Sequence, residues 1–248
     1  MKISEILKEA QITPYQRETL SGDITGILAE HCSDAYQTAR TPIWRGTGRN
    51  KAEIMMLDPS TGTRRSENTT NYYTMLMDNS PYMKGFPKRS NSLICTTRRK
   101  VAESYGNGKA YAIFPYNGTK IAICPGSDLW DTTVDLTDLR DGGVQWDDIN
   151  HILKNRLGFS DDATFQQMIE YTNSDRFRNL LSTVTSVIEP EKFIAWLQQQ
   201  MAPEKVGFVS MDISTFDASD YPDNEVWFSG PCIAIRDDIY DAWIKSNP

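Results

Sequence analysis

Ser90-Asn91-Ser92-Leu93-Ile94-Cys95-Thr96-Thr97, running into Arg98-Arg99-Lys100-Val101-Ala102-Glu103-Ser104-Tyr105-Gly106, is the stretch that decides the fold. Its first half alternates well enough for a strand with one polar face. On that reading Ser90, Ser92 and Thr96 lie on one side by the two-residue period. Thr97 is placed to cap a helix over 98–105, and Gly106 to end it. The stretch is therefore strand-into-helix.

Short strands recur on both sides of it. Upstream, Thr41-Pro42-Ile43-Trp44-Arg45-Gly46 reads as a strand closing on glycine-rich turn chemistry. An apolar run over 54–57 stops at Asp58-Pro59-Ser60-Thr61-Gly62, a turn signal. Residues 63–70 read as a polar loop, and Tyr72, Tyr73, Leu76 and Met77 as a short helix. Downstream, strands over 110–115 and 119–124 flank Tyr116-Asn117-Gly118, a hairpin signal. Apolar stripes at helical spacing run through 146–201, including Leu180, Leu181, Val184, Val187 and Ile188. Strands return over 206–213, 225–228 and 232–235. A polar loop with Phe216, Tyr221 and Pro222 precedes Glu225, and a short helix covers 238–244. At the start, Ile3, Ile6, Leu7 and Ala10, then Leu20, Ile24, Ile27 and Leu28, predict a helical extension over 1–38. The class expected is α+β: a main domain over 39–248 with a helical insertion at about 146–203.

Composition narrows the function. The chain has 248 residues, 39% hydrophobic and 10% aromatic, too apolar for a disordered chain. A net charge of −7 argues against broad nucleic-acid binding, which needs a basic surface. The two short basic runs, Arg64-Arg65 and Arg98-Arg99-Lys100, read as solvated surface charge. Four scattered cysteines predict buried thiols rather than a disulfide scaffold. Two histidines and no clustered cysteines give no metal-binding spacing. No apolar run approaches the roughly 20 residues that span a bilayer, and the charged start is unlike a signal peptide. A cytoplasmic protein, or one packaged from a cytoplasm, is expected.

Three segments place a polar group inside an apolar strand: Trp44-Arg45-Gly46, the 90–97 strand, and Asn224-Glu225-Val226-Trp227. Buried charge is unfavourable unless it is paired or faces a cleft. Their order resembles the arginine–serine–glutamate class of ADP-ribosyltransferases, including bacteriophage-encoded members. The first motif is Arg45-Gly46. The second is the hydroxyl-rich strand leading to Ala102 and Tyr105. The third is the loop ending in Glu225-Val226-Trp227-Phe228. The resemblance covers about 40–130 and 206–236. The usual Ser-Thr-Ser triplet is absent. Spacing back from Ala102 favours Thr96 for its role, whereas the Ser-x-Ser pattern favours Ser90 and Ser92. Two residues before the catalytic Glu, arginine-modifying members carry an acid or amide; here it is Asp223.

The resemblance implies a split β-sheet core and NAD as co-substrate. Glu225 would bind the ribose 2′-hydroxyl and stabilise the oxocarbenium-like charge that builds as nicotinamide leaves. Arg45, with Gly46, would grip the phosphates. Ser90, Ser92 or Thr96 would orient Glu225 and the ribose. Tyr105 or Phe114 would reach nicotinamide, core packing being the plainer reading of both rings. Asp223 would steer or deprotonate the acceptor, and Phe216 and Tyr221 would touch the target. That target is expected to be a protein, with host transcription or translation machinery in view. The alternatives are a non-catalytic structural or interaction protein, and a degenerate member of the fold that only binds.

Overall fold

A computed structural model describes residues 9–38, 42–47, 52–66, 70–139 and 143–247. In chain order the elements begin with β1 (Glu9–Thr13), β2 (Gln16–Leu20), α1 (Ile24–His31), α2 (Ser33–Thr38), β3 (Ile43–Gly46), β4 (Ile54–Asp58) and β5 (Thr63–Ser66). There follow α3 (Tyr72–Asp78), β6 (Leu93–Thr96), α4 (Arg99–Tyr105), β7 (Ala110–Pro115), β8 (Lys120–Ile123), β9 (Thr133–Asp135) and β10 (Gly143–Gln145). Next come α5 (Trp146–His151), α6 (Phe165–Thr172), α7 (Asp175–Val184), α8 (Phe193–Gln200) and α9 (Pro203–Val206). The chain ends with β11 (Val209–Asp212), β12 (Glu225–Phe228), β13 (Cys232–Arg236) and α10 (Asp237–Ser246).

The protein is mixed α and β, divided into two compact units. The first takes residues 1–68, 86–123 and 209–248. Its centre, among the described residues, is a nine-stranded sheet in the order β11-β8-β12-β6-β3-β7-β13-β4-β2, with every pairing antiparallel. β3 and β6 meet through a single residue pair, Trp44 with Thr96, whereas β3 and β7 share four. Ile43, Phe114, Val226, Phe228, Ile233 and Trp243 belong to the buried core of this unit. Each such side chain contributes about 1.5–3 kcal/mol when fully removed from water.

Local chemistry explains several boundaries. The carboxylate of Asp23 accepts the Gly26 N–H (2.8 Å) and starts α1. Asp237 and Asp238 lie in the first turn of α10, where acidic groups favour the positive end of the helix. The turn at Asn117-Gly118 forms as expected, with Gly118 at φ +71° and the Thr119 N–H on the Tyr116 carbonyl (3.1 Å).

The strands on either side of that turn do not form the expected hairpin. β7 pairs with β3 and β13, and β8 with β11 and β12, so the turn carries the chain from one half of the sheet to the other. The expected helical extension over 1–38 is also corrected. Residues 1–8 lie outside the described residues, β1 pairs with β5, and β2 forms the sheet edge against β4. Among the described residues of this stretch, the helices are α1 and α2, in its later part. Residues 63–66, expected as loop, are the strand β5.

The second unit takes residues 69–85 and 124–208. It holds α3, the β9–β10 hairpin and α5 to α9. Its interior is aromatic: Phe177 stacks edge-on against Phe159 and Phe193, at centroid distances of 5.5 and 5.3 Å. α6 opens with a capping box: Thr164 accepts the Gln167 N–H while the Gln167 side chain accepts the Thr164 N–H. α7 stops at Val184, and Val187, expected on its apolar face, is 69% exposed. The four cysteines are buried free thiols. Among the described residues no helix is long and apolar enough to cross a membrane.

Candidate active site

Glu225 opens β12 and is buried at 4% exposure. Across the ladder its partner is Thr96, the last residue of β6 and also buried. Paired residues of antiparallel strands point to one face, so the carboxylate and the hydroxyl stand side by side. The ladder is prolonged outward by Thr97: its N–H donates to the Asn224 carbonyl (3.0 Å), and its Oγ1 accepts the Asn224 N–H (3.0 Å). One pair further, Arg98 Nη1 lies 2.8 Å from Asp223 Oδ2.

The buried carboxylate has a buried counterion. Arg89 Nη1 donates to Glu225 Oε1 (2.5 Å) and Nη2 to Oε2 (3.3 Å). Both side chains are nearly closed to solvent, at 6% and 5% exposure. The Arg89 guanidinium also lies over the Trp227 ring, 5.5 Å from its centroid. Arg89 is the site residue that the sequence reading missed. The signal available was indirect: a carboxylate in an apolar strand requires a partner, and Lys88-Arg89 stand just before β6.

Arg45 lies on β3, the strand beyond β6. Its Nη1 donates to the main-chain carbonyl of Ile94 in β6. Alternation along β3 puts Trp44, the residue paired with Thr96, rather than Arg45 on the Thr96 face. Gly46 is required by packing. A Cβ there would lie 2.1 Å from the Ala102 carbonyl oxygen and 2.6 Å from the Gly106 nitrogen. The glycine lets α4 press its backbone onto β3.

The hydroxyl-rich strand is shorter than expected. Arg89–Asn91 form a turn of 3-10 helix, so Ser90 and Ser92 precede β6 and do not continue the face of Thr96. Ser92 is buried, and its Oγ donates to the Lys88 carbonyl (2.6 Å), closing that turn. Ser90 lines a crevice of about 10 Å³ with Tyr15, Pro59 and Arg64, room for roughly one water molecule. The helix cap also differs. α4 begins at Arg99, and Thr96 Oγ1, not Thr97, accepts the Arg98 N–H (3.1 Å).

The remaining candidates fall away from the carboxylate or into the core. Tyr105 ends α4, its backbone beside Gly46. Phe114 is 2% exposed and packs on Tyr240. Phe216 is 1% exposed and belongs to the main hydrophobic core, and Tyr221, stacked on it at 5.8 Å, packs against that core. The run Arg98-Arg99-Lys100 is largely paired: Arg98 with Asp223, and Arg99 with Glu103 and Asp241 while lying over Trp44. A depression of about 370 Å³ lies at Lys109, Arg236, Asp237 and Asp238, a set that includes none of the candidate residues.

Chemically, the arrangement offers a buried, doubly held carboxylate, a hydroxyl beside it, and a half-exposed acid at the rim. It suits recognition of a hydroxyl next to a centre that gains positive charge. A family model described as insect allergen related repeat, nitrile-specifier detoxification, matches residues 132–220, about a third of the chain and mostly within the second unit. No curated protein and no solved structure matches the chain.

Proposed function

We propose that this chain cleaves NAD and transfers the ADP-ribose to a protein side chain, as a mono-ADP-ribosyltransferase of the arginine–serine–glutamate class. The observation that carries the reading is the register of three neighbouring strands: Glu225 of β12 opposite Thr96 of β6, and Thr96 opposite Trp44, the neighbour of Arg45, on β3. Motifs 51 residues apart (Arg45 to Thr96) and 129 residues apart (Thr96 to Glu225) thus lie on neighbouring strands, which supports the reading.

In the mechanism, Glu225 accepts the 2′-hydroxyl of the nicotinamide ribose. As the C1′–N bond breaks, nicotinamide leaves with the bonding electron pair and positive charge gathers on the ribose. The hydrogen bond to the carboxylate strengthens as that charge develops, which is the catalytic contribution. Thr96 orients the ribose beside Glu225. The acceptor side chain then attacks C1′ and forms the new bond there, and Asp223 takes the proton it gives up. Arg45 holds β6 in place through its bond to Ile94; the phosphate contact that the resemblance implies for it is tested separately by its effect on KM for NAD. The target is proposed to be a host protein met in the cytoplasm.

The test is incubation with NAD labelled in the adenylate, alone and with a host lysate, beside Glu225→Ala. Nicotinamide release and a labelled protein band from the wild type, both lost in the variant, are expected. Wild-type protein that gives neither ends the reading. A second reading is a non-catalytic structural or interaction protein. On it the chain does no chemistry, and NAD turnover separates the two.

A further inference from the structure

We infer that Arg89 is the positioning residue of Glu225, fixing the plane of its carboxylate for the ribose hydroxyl; this rests on the role proposed for Glu225. Both carboxylate oxygens engage one guanidinium, at 2.5 and 3.3 Å. A planar fork on a planar carboxylate restrains rotation as well as position, which a single donor does not do. An ionised carboxylate offers about four lone-pair sites, and the fork occupies two. The others remain for a substrate hydroxyl.

Arg89 is itself held at both ends. The Trp227 ring lies over its guanidinium, and the Trp227 indole N–H donates to the carbonyl of Pro87 (3.0 Å), two residues before Arg89. Trp227 follows Glu225 by two on β12, so alternation puts the two side chains on one face. One strand supplies both the carboxylate and the ring that seats its partner. At the main chain, the Arg89 carbonyl accepts the Ser92 N–H (3.4 Å), and the Ser92 side chain ties back to Lys88. Freed of Arg89, a carboxylate this buried would have to turn toward solvent or lose its charge. Either change removes the group that faces the developing cation.

A role confined to folding makes different predictions from a positioning role. The experiment measures NAD hydrolysis by wild type, Arg89→Met, Arg89→Lys, Glu225→Gln and the double variant Arg89→Met/Glu225→Gln, with a thermal melt of each. Arg89→Met is expected to lower kcat roughly 100-fold, with KM within about threefold of wild type. Arg89→Lys, which keeps the charge and loses the fork, should regain about tenfold. In the Glu225→Gln background Arg89→Met should change kcat no further, since the group it positions is gone. A loss expressed in KM, an equal kcat loss in that background, or faster turnover by Arg89→Met would overturn the inference. Should Arg89→Met fail to fold, the kcat loss of Arg89→Lys, and its absence in a further double variant Arg89→Lys/Glu225→Gln, decide the matter alone. A wild type that releases no nicotinamide defeats the NAD reading itself. An active wild type with an indifferent Arg89→Met defeats only this inference.

Discussion

Thr96 and Glu225 face each other across the β6–β12 ladder, and both are buried. The sequence left three hydroxyls open for the role beside the carboxylate, and the register selects one. Ser92 is committed to the Lys88 carbonyl, and Ser90 sits on a 3-10 turn. Thr96→Val keeps the branched shape and removes the hydroxyl. It is expected to lower NAD turnover about tenfold, the value of one hydrogen bond of roughly 1.4 kcal/mol in the transition state. Steady-state kinetics beside Ser90→Ala check it. A greater loss in Ser90→Ala than in Thr96→Val would return the role to Ser90.

Much of this arrangement was legible because it is local. The strands around Arg45 and Glu225, the strand-into-helix passage through Thr96 and the turn at Gly118 follow from periodicity and turn chemistry. What was not legible is long-range. Asn117-Gly118 fixes a turn but not the partners of β7 and β8, which lie in opposite halves of the sheet. β2, Gln-Arg-Glu-Thr-Leu, is almost wholly exposed at an edge and shows no apolar alternation to betray a strand. Ser90 and Ser92 fit the two-residue period by composition, but the chain turns there instead. Arg89 meets Glu225 across 136 residues, a pairing that no local pattern encodes.

Arg45 is predicted to have a separable pair of effects. Arg45→Ala removes the donor to the Ile94 carbonyl, and loss of one such charged bond costs about 1.5–3 kcal/mol. Urea denaturation measures that part. If Arg45 also meets the phosphates, KM for NAD rises as well, roughly tenfold. A loss of stability with unchanged KM would confine Arg45 to bracing β6.

Gly46→Ala should act through the fold alone. The added methyl would meet main-chain atoms of α4, at 2.1 Å from the Ala102 oxygen, and neither backbone can give way cheaply. Overpacking of this kind costs typically about 1–3 kcal/mol and occasionally more. The urea midpoint should fall accordingly. An unchanged midpoint would mean that α4 does not rest on β3 in solution, and the packing account of the Arg-Gly pair would fail.

Asp223→Asn is expected to leave stability within about 1 kcal/mol, because its pair with Arg98 is half-exposed and such pairs are weak. The ratio of protein transfer to NAD hydrolysis should fall, since the amide cannot take the acceptor's proton. Measuring labelled protein and released nicotinamide in one reaction gives that ratio directly. A ratio equal to that of wild type would remove Asp223 from acceptor chemistry and leave it an ion-pair partner of Arg98.

Alkaline pH should weaken the fold through two buried thiols. Burial pushes the Cys32 thiol up from its usual 9.0 to about 12, and its Sγ–H donates to the Phe114 carbonyl (3.2 Å). Burial raises Cys232 well above the same value, with the nearby Cys95 and Cys32 adding to the effect. Below pH 9 both thiols are protonated in the folded and unfolded chain, so their contribution is fully present. Above it the unfolded chain releases protons that the folded chain keeps. Stability therefore falls, for Cys32 across the window from about 9 to about 12, by about 1.4 kcal/mol per pH unit for each thiol. Urea denaturation at pH 8, 9 and 10 reads the slope, and Cys32→Ala should make it shallower by the share of one thiol. An identical slope in Cys32→Ala would show that Cys32 ionises as readily in the folded chain as in the unfolded one.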